Sequence, residues 1–240
     1  MGNKGRRRHE KRLAASRKRK IERKTFVWTV KPKAGRHAKD DSIPLLVLIR
    51  DYLKLANTGK EAETLIKSKE VHVDGKICRE PKFAVGFMDV VSIPKISKNY
   101  RVVLDSKGRL DMLEVPKGES SFKLCKIERK STIKGGKTQL TLHDGRNELV
   151  EKGKYKVGDV VKISLPDQKI MDHYELKKGA TIYITGGKHA GIVTEATDVQ
   201  RGSMTRKIQV MFKKDDGSEL AVPLNYVFVL GKGEPAIRMK

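Results

Sequence analysis

Two consecutive stretches near the start of the chain carry apolar residues at helical spacing. In the first, apolar side chains recur every three or four positions between Leu45 and Leu53, after Ser42 and with Pro44 in the expected first turn. The second follows Thr58 and has Glu61 three residues later, which is the spacing of a capping box. The pattern therefore predicts two short helices, one starting at residues 41–42 and one at Thr58.

Alternating apolar and polar residues follow the second predicted helix. Val71-His72-Val73 leads into Asp74-Gly75, a dipeptide that tolerates positive φ at both positions of a tight turn. Further apolar runs are separated by Pro81 and Gly86 and end at Ile93. We expect a β-hairpin and a small sheet, which join the two helices in a helix-and-hairpin module over residues 42–104.

The rest of the chain reads as β-structure. Glycine-containing turns separate short apolar runs between residues 105 and 177, which is typical of a small barrel or sandwich. The acidic residues of these turns, Asp144 and Asp159, are expected to serve the turns themselves. From residue 178 the chain alternates again up to Ile184, and a glycine-rich loop then presents Lys188 and His189. Gly191 closes this loop, and we expect it to need positive φ or close strand packing.

Composition narrows the class of protein. With 38% hydrophobic residues, the chain has enough apolar side chains for folded cores. Cys78 and Cys125 form no CxxC pair, which argues against a disulfide framework or a cysteine zinc site and suits a reducing compartment. No apolar run has the length of a membrane span, and the basic N-terminus lacks the apolar region of a secretory signal. No catalytic constellation is visible, so we expect neither an enzyme nor a cofactor or metal.

The charge is concentrated at one end. Residues 1–39 hold 16 Lys/Arg and two Glu, a net +14 of the total +24. Such a segment requires a polyanion to neutralise it, so we expect it to be unfolded alone and ordered only on nucleic acid. A solubilising or nuclear-import run is the alternative, while a membrane surface is disfavoured because no apolar stripe accompanies the cations. For Phe26 and Trp28 we favour a role as a packing anchor over base stacking.

Four lysines extend the basic character into the module. Lys60 and Lys67 lie on the second predicted helix, and Lys69 and Lys76 flank the first strand of the hairpin. The amides of Gly59 and Lys60 at the start of that helix also offer a phosphate site. A solvated surface is the alternative interpretation for these lysines, and His189 has the alternative of an idle loop residue.

These motifs resemble known RNA-binding units. Leu65-Ile66, Val73-Asp74-Gly75-Lys76 and the later Asp89-Val90-Val91 resemble the α-helix/β-loop module of a bacterial small-subunit ribosomal protein, some pseudouridine synthases and tyrosyl-tRNA synthetase. That family usually opens with Arg-Leu-Asp, where this chain has Ser42-Ile43-Pro44. We therefore infer no RNA contact at that position from the resemblance. The loop ending at Gly191 resembles the KOW motif. A phosphate-binding loop is excluded because strands flank this loop and His189 follows Lys188.

In this order, the parts resemble small-subunit ribosomal protein four of the archaeal/eukaryotic type, including Ile43–Asp51 and Asn225–Gly231. The resemblance implies a structural constituent of the small ribosomal subunit of a cytoplasmic ribosome. Such a protein would bind and stabilise small-subunit rRNA and would contact neighbouring ribosomal proteins. We expect no membrane association and no homo-oligomer. An RNA-modifying enzyme or synthetase lacks support, because residues 105–240 show neither a paired acid nor a nucleotide site. A transient assembly or elongation-type factor is the other alternative.

The expected fold class is therefore α+β and multidomain. A disordered basic N-terminal extension (1–41) precedes the RNA-binding module (42–104), a β-rich central domain (105–177) and an SH3-like KOW barrel with a C-terminal tail (178–240). The candidate RNA-binding residues are ten cations of the extension, four lysines of the module and two loop residues: Arg6, Arg7, Arg8, Arg12, Arg17, Lys18, Arg19, Lys20, Arg23, Lys24, Lys60, Lys67, Lys69, Lys76, Lys188 and His189.

Overall fold

The protein is mostly β-structure with little helix in this computed structural model, which describes residues 9–151, 153–200, 202, 208–213 and 217–239. It divides into two compact units, the first formed by residues 1–103 and 109–121 and the second by residues 104–108 and 122–240. In the part of the chain that is described, no helix has the length and apolar character needed to cross a membrane.

The first unit contains two small ladders and one five-stranded sheet of order β5-β4-β7-β8-β9. The nine strands that begin among its described residues are β1 (Glu10–Lys11), β2 (Trp28–Thr29), β3 (Ser42–Pro44), β4 (His72–Val73), β5 (Lys76–Ile77), β6 (Ala84–Gly86), β7 (Val90–Ile93), β8 (Lys98–Leu104) and β9 (Leu110–Val115). Its helices are α1 (Leu45–Val47), which continues as a π-helical turn over Leu48–Tyr52, and α2 (Gly59–Lys67).

The first predicted helix begins later than its sequence pattern suggests. Ser42–Pro44 form β3, which pairs with β6 so that Ile43 lies opposite Val85. Because proline restricts the residue before it to extended conformations, Ile43 stays in the strand and Pro44 becomes the residue that precedes the helix. The apolar positions of the helix are buried as expected, with Leu45 and Leu48 fully inaccessible to solvent.

Residues 9–41 are folded within the first unit, which the charge pattern does not predict. Arg19 is only 2% exposed, and its Nη1 lies 2.8 Å from Oε2 of the buried Glu10. Its Nε and Nη2 donate to the carbonyl oxygens of Ser42 and Lys39, each at 2.7 Å. One acid and nearby backbone carbonyls thus take the place of the polyanion at this position.

Contacts distant in sequence hold this segment. The amide of Leu110 donates to the carbonyl oxygen of Lys18 at 2.7 Å, and Lys20 pairs with Asp111. His37 is buried and its Nε2 lies 2.9 Å from Asp89 Oδ2. Residues in the middle and near the end of the segment are therefore fixed by residues that come much later in the chain.

The second unit contains two five-stranded antiparallel sheets, ordered β12-β11-β10-β13-β14 and β18-β17-β16-β15-β19. The strands among its described residues are β10 (Phe122–Thr132), β11 (Thr138–Leu142), β12 (Asn147–Val150), β13 (Val160–Ser164), β14 (Ile170–Tyr174), β15 (Ala180–Ile184), β16 (Val193–Gln200), β17 (Gln209–Lys213), β18 (Glu219–Pro223) and β19 (Val227–Lys232). Alternate residues of the first sheet, such as Ile127, Leu140 and Ile163, form a fully buried apolar cluster.

Asp144 and Asp159, which were predicted to serve turns, each accept a hydrogen bond from a backbone amide of their own turn. Each also contacts a basic side chain from a strand. Asp144 Oδ1 accepts from the amide of Arg146 at 3.2 Å, while its Oδ2 lies 2.9 Å from Lys123 Nζ, with both side chains fully buried. Burial alone would raise the pKa of Asp144, but Lys123, His143 and Arg146 outweigh it and lower that pKa to about 2. The carboxylate therefore stays charged inside the sheet.

Candidate nucleic-acid interface

Helix α2 begins with the capping box that the sequence predicts. Thr58 Oγ1 accepts from the amide of Glu61 at 3.2 Å, and the Glu61 carboxylate accepts from the amide of Thr58 at 3.3 Å. Hydrogen bonds from the amides of Asn57 and Thr58 also lower the pKa of Glu61. The first intrahelical hydrogen bond runs from Ala62 to Thr58, so the amides of Gly59 and Lys60 precede it and point out of the helix start.

The four lysines of the module are all exposed but do not lie together. Lys60 is at the start of α2, whereas Lys69 lies beyond its end, so the length of the helix, about 13 Å at 1.5 Å per residue, separates them. Lys67 is paired with Glu63 at 2.6 Å. Lys60, Lys69 and Lys76 form no ion pair with any described residue, which leaves their charges available to a ligand.

The predicted hairpin joins β4 and β5 through Asp74 and Gly75, both at positive φ (52° and 74°). Asp74 does more than occupy the turn, because its Oδ1 accepts from the amide of Val90 at 3.0 Å and its Oδ2 lies 2.7 Å from Arg36 Nη1. These contacts hold the turn against β7 and the N-terminal segment. Lys76, the first residue of β5, is thereby presented directly after a fixed turn.

The cations of the N-terminal segment divide into internal and exposed groups. Arg12 is 7% exposed and donates to the Glu22 carbonyl and to Thr25, while Arg23 donates to the carbonyl oxygens of Ala15 and Ser16 at 2.9 and 3.0 Å. Together with Arg19, these arginines organise the segment itself, since several of their donors are engaged within it; their assignment as RNA contacts stays a prediction.

Lys18 and Lys20 are paired with Asp41 and Asp111. Arg17 and Lys24 are exposed and make no hydrogen bond or ion pair with other described residues. Arg6, Arg7 and Arg8 lie outside the described residues. The segment therefore offers a nucleic acid fewer unpaired cations than its charge count suggests.

The loop between β15 and β16 presents Lys188 at its exposed tip. His189 is half-buried, with its ring centroid 6.0 Å from that of Phe212 in an edge-to-face arrangement. Gly191 has φ of +84°, and a Cβ there would lie 2.6 Å from the carbonyl oxygen of Asp105 and 2.8 Å from the Cα of Ser106. Positive φ at this glycine is confirmed, and its close packing is against the backbone of the loop residues Asp105 and Ser106 rather than against a strand.

Two aromatic residues are more exposed than the sequence interpretation assumed. Phe26 is 71% exposed and Trp28 is 58% exposed, so neither is an anchor buried in a core. They line an open cleft together with Arg50 and Lys54, which the sequence analysis did not single out. The only signal in the sequence is the presence of aromatics directly after a run of cations.

Comparison with known proteins identifies the family. A model of the RS4NT (NUC023) domain matches residues 4–40, one of the S4 domain matches residues 44–91, and one of the ribosomal family S4e matches residues 96–170. Small ribosomal subunit protein eS4 of Methanosphaera stadtmanae is 44% identical over 239 residues, covering 100% of this chain and 98% of that protein. The chain belongs to the eS4 family.

Other eS4 proteins extend the relationship. The Methanocaldococcus jannaschii protein is 42% identical over 247 residues, with complete coverage of both chains. The crystal structure of the 30S ribosomal protein S4e from Thermoplasma acidophilum has a TM-score of 0.70 and 36% identity, covering 81% of this chain and 97% of that one. Within the eS4 chain described here, the S4 domain match contains α2 and the β4–β5 hairpin, the elements that present Lys60 and Lys76.

Proposed function

We infer that the protein is a structural constituent of the small ribosomal subunit of a cytoplasmic ribosome, where it binds and stabilises the subunit's rRNA. The observation that carries this inference is the full-length relationship to eS4 proteins at 40–44% identity. The high net charge of +24 is consistent with a polyanionic partner.

The described geometry favours binding to folded RNA by several separate surfaces. Lys60, Lys69 and Lys76 are exposed on the S4 module without ion-pair partners there, and Lys188 is exposed on the second unit. Double-stranded RNA is recognised mainly through its shape and through phosphate and 2′-hydroxyl contacts, which such scattered cations on rigid elements can make. Neighbouring ribosomal proteins are the other proposed partners, and we propose neither a membrane association nor a homo-oligomer.

We also propose that the chain is organised as an extension (1–41), an RNA-binding module (42–104), a central β domain (105–177) and a KOW-type barrel (178–240). The KOW proposal is supported by the five-stranded sheet of β15–β19 and by Gly191 at the close of the β15–β16 loop. No catalytic role is proposed for any residue.

Sedimentation tests the inference. In a sucrose gradient of cell lysate, the protein should travel in stoichiometric amounts with the small subunit at low and at moderately high salt. Departure from the particle with salt, in substoichiometric amounts, would identify a transient RNA-binding factor instead.

The proposed lysine contacts have their own test in the salt dependence of binding. Lys60→Gln and Lys76→Gln should each reduce the slope of log K against log salt by roughly 0.7–0.9, the value for one lost phosphate contact. The matched control is Lys67→Gln, because Lys67 is already paired with Glu63 and should change the slope least. Equal slopes for all three variants and the parent protein would show that these lysines make no phosphate contact.

A further inference from the structure

An open cleft in the first unit combines exposed aromatic rings with cations. It has a volume of about 870 Å³ and is bounded by the N-terminal segment, the π-helical turn and the start of α2. Pockets for ligands of the size of a nucleotide commonly have volumes of 300–1,000 Å³. The cleft is therefore large enough for a nucleotide and open enough to admit one that belongs to a longer chain.

The aromatic wall is held in place by the backbone. Trp28 lies in β2, where it pairs with Lys11. Phe26 and Trp28 both line the cleft, whereas Val27 between them does not. The Arg12 guanidinium lies over the Phe26 ring, 5.3 Å from its centroid, and the His9 ring centroid lies 5.8 Å from that of Trp28. Both rings are thus supported from within the segment and still largely exposed.

Basic residues also line the cleft. Arg50 uses Nε and Nη2 to bind the Asp51 carboxylate, at 2.7 and 3.0 Å. Its Nη1 lies against the first turn of α2, 3.5 Å from where a Cβ on Gly59 would be. Lys54 also lines the cleft and is exposed, with no ion-pair partner among the described residues. Beside the aromatic wall, Arg12 is nine-tenths buried and its Nε has no hydrogen-bond partner in the described chain.

We propose that this cleft binds one unpaired nucleotide of RNA. Its base would stack on the exposed rings of Phe26 and Trp28, because every base has a π-face that aromatic side chains accept. Its phosphate would lie beside Arg50, Lys54 and the free amides at the start of α2, where positive charge and N–H donors converge.

Charge complementarity favours RNA over an apolar peptide as the occupant. Four cations line the cleft, Arg12, Lys20, Arg50 and Lys54, against two acids, Glu22 and Asp51. Lys20 is paired with Asp111 and Arg50 with Asp51, so Arg12 and Lys54 are the two cations with no carboxylate partner among the described residues. A purely apolar partner would cover the rings but would leave cations without counter-charges. The proposal rests on the proposed function, which supplies RNA as the partner, and names the element of that RNA bound here.

The chain carries its own probe, because Trp28 is its only tryptophan. Titration of the full-length protein with a short oligouridylate should quench Trp28 fluorescence, since stacking places a base against the indole. A blunt RNA duplex with the same number of phosphates should bind through the cations but quench less. Equal quenching by both would overturn the proposal, because a duplex offers no unpaired base along its length.

Variants separate stacking from charge. With a fluorescently labelled oligouridylate, Trp28→Ala should raise the Kd roughly 5- to 150-fold, the range for losing one stacked base, and Trp28→Phe should restore most of the affinity. Val27→Ala is the matched control, because Val27 is as exposed as its neighbours but lies outside the cleft. Lys54→Gln should lower the salt slope by about 0.7, whereas Lys117→Gln, an exposed lysine elsewhere in the unit, should not.

The outcomes also distinguish this proposal from the proposed function. If Trp28→Ala binds single-stranded RNA as tightly as the parent protein and still sediments with the small subunit, stacking is refuted and the ribosomal role stands. If that variant binds RNA normally but fails to enter the particle, the rings contact a neighbouring protein and the proposal is wrong. If the parent protein neither binds small-subunit RNA nor enters the particle, the proposed function itself fails.

Discussion

Replacing Arg19 by methionine tests whether the N-terminal segment is part of a folded core. The substitution keeps an unbranched apolar side chain but removes the charge that faces Glu10 and the donors to Ser42 and Lys39. Breaking a buried ion pair by removing one partner costs about 3–5 kcal/mol. Because Lys39 Nζ remains 2.8 Å from Glu10 Oε1 and still stabilises that carboxylate, we expect the low end, about 3 kcal/mol.

Thermal unfolding followed by calorimetry measures this loss. A domain of about 100 residues shifts its Tm by roughly 4 °C or more per kcal/mol, so the transition of the first unit should fall by about 12 °C. Arg19 does not belong to the second unit, so the unfolding transition of that unit serves as an internal reference. Arg17→Met is the control, since Arg17 is exposed and makes no contact of this kind among the described residues, and it should leave the Tm unchanged.

A double variant identifies the cause of any loss. Removing both charges with Glu10→Gln and Arg19→Met leaves no buried carboxylate that has lost its arginine partner, so part of the lost stability should return. If Arg19→Met melts like the parent protein, residues 9–41 contribute no stability, and the expectation of an unfolded extension from the charge pattern would be the better description.

Two further predictions concern the second unit. Gly191→Val should lower the free energy of unfolding by roughly 2–4 kcal/mol in urea titrations, because the new side chain meets both left-handed backbone strain and the carbonyl of Asp105. Gly135→Val is the control, since Gly135 has a similar φ of +86° but lies in open space and should show the loss from strain alone. Equal losses for the two variants would refute the packing argument. Burial lowers the pKa of Lys126 from 10.5 to about 8, so the unfolded chain binds more protons between these values and stability should rise with pH across that window. Lys126→Met should flatten this rise, and an unchanged pH profile would show that Lys126 is not desolvated.

Local signals predicted the elements that local interactions determine. The capping box at Thr58 and the hairpin at Asp74-Gly75 were both predicted, because each depends on residues within four positions of one another. The start of α1 was displaced by three residues because Pro44 keeps Ile43 extended, and because β3 pairs with β6, a partner some forty positions away that local spacing does not indicate.

Contacts between distant positions explain most of what the sequence concealed. Positive φ at Gly191 follows from its loop, but the carbonyl of Asp105 that excludes a side chain there is set by the fold of the second unit. The burial of Arg19 was likewise hidden, because its partner Glu10 is one of only two acids within a basic run. Counting charges in such a run treats every cation as available to bind nucleic acid, whereas several of these cations are buried and bind groups of the protein itself.

The hydrogen bond from Leu110 to Lys18, with the adjacent Lys20–Asp111 pair, has a consequence for the order of events during synthesis. Residues 18 and 20 leave the ribosome first, but their partners follow about 90 residues later. At 5–20 residues per second, that delay is roughly 5–18 s. Throughout this interval the Lys18 carbonyl lacks its native donor and Lys20 lacks its native acid, whereas Arg19 has its partners within residues 10–42. The first residues made are therefore among the last to reach their final positions in the first unit.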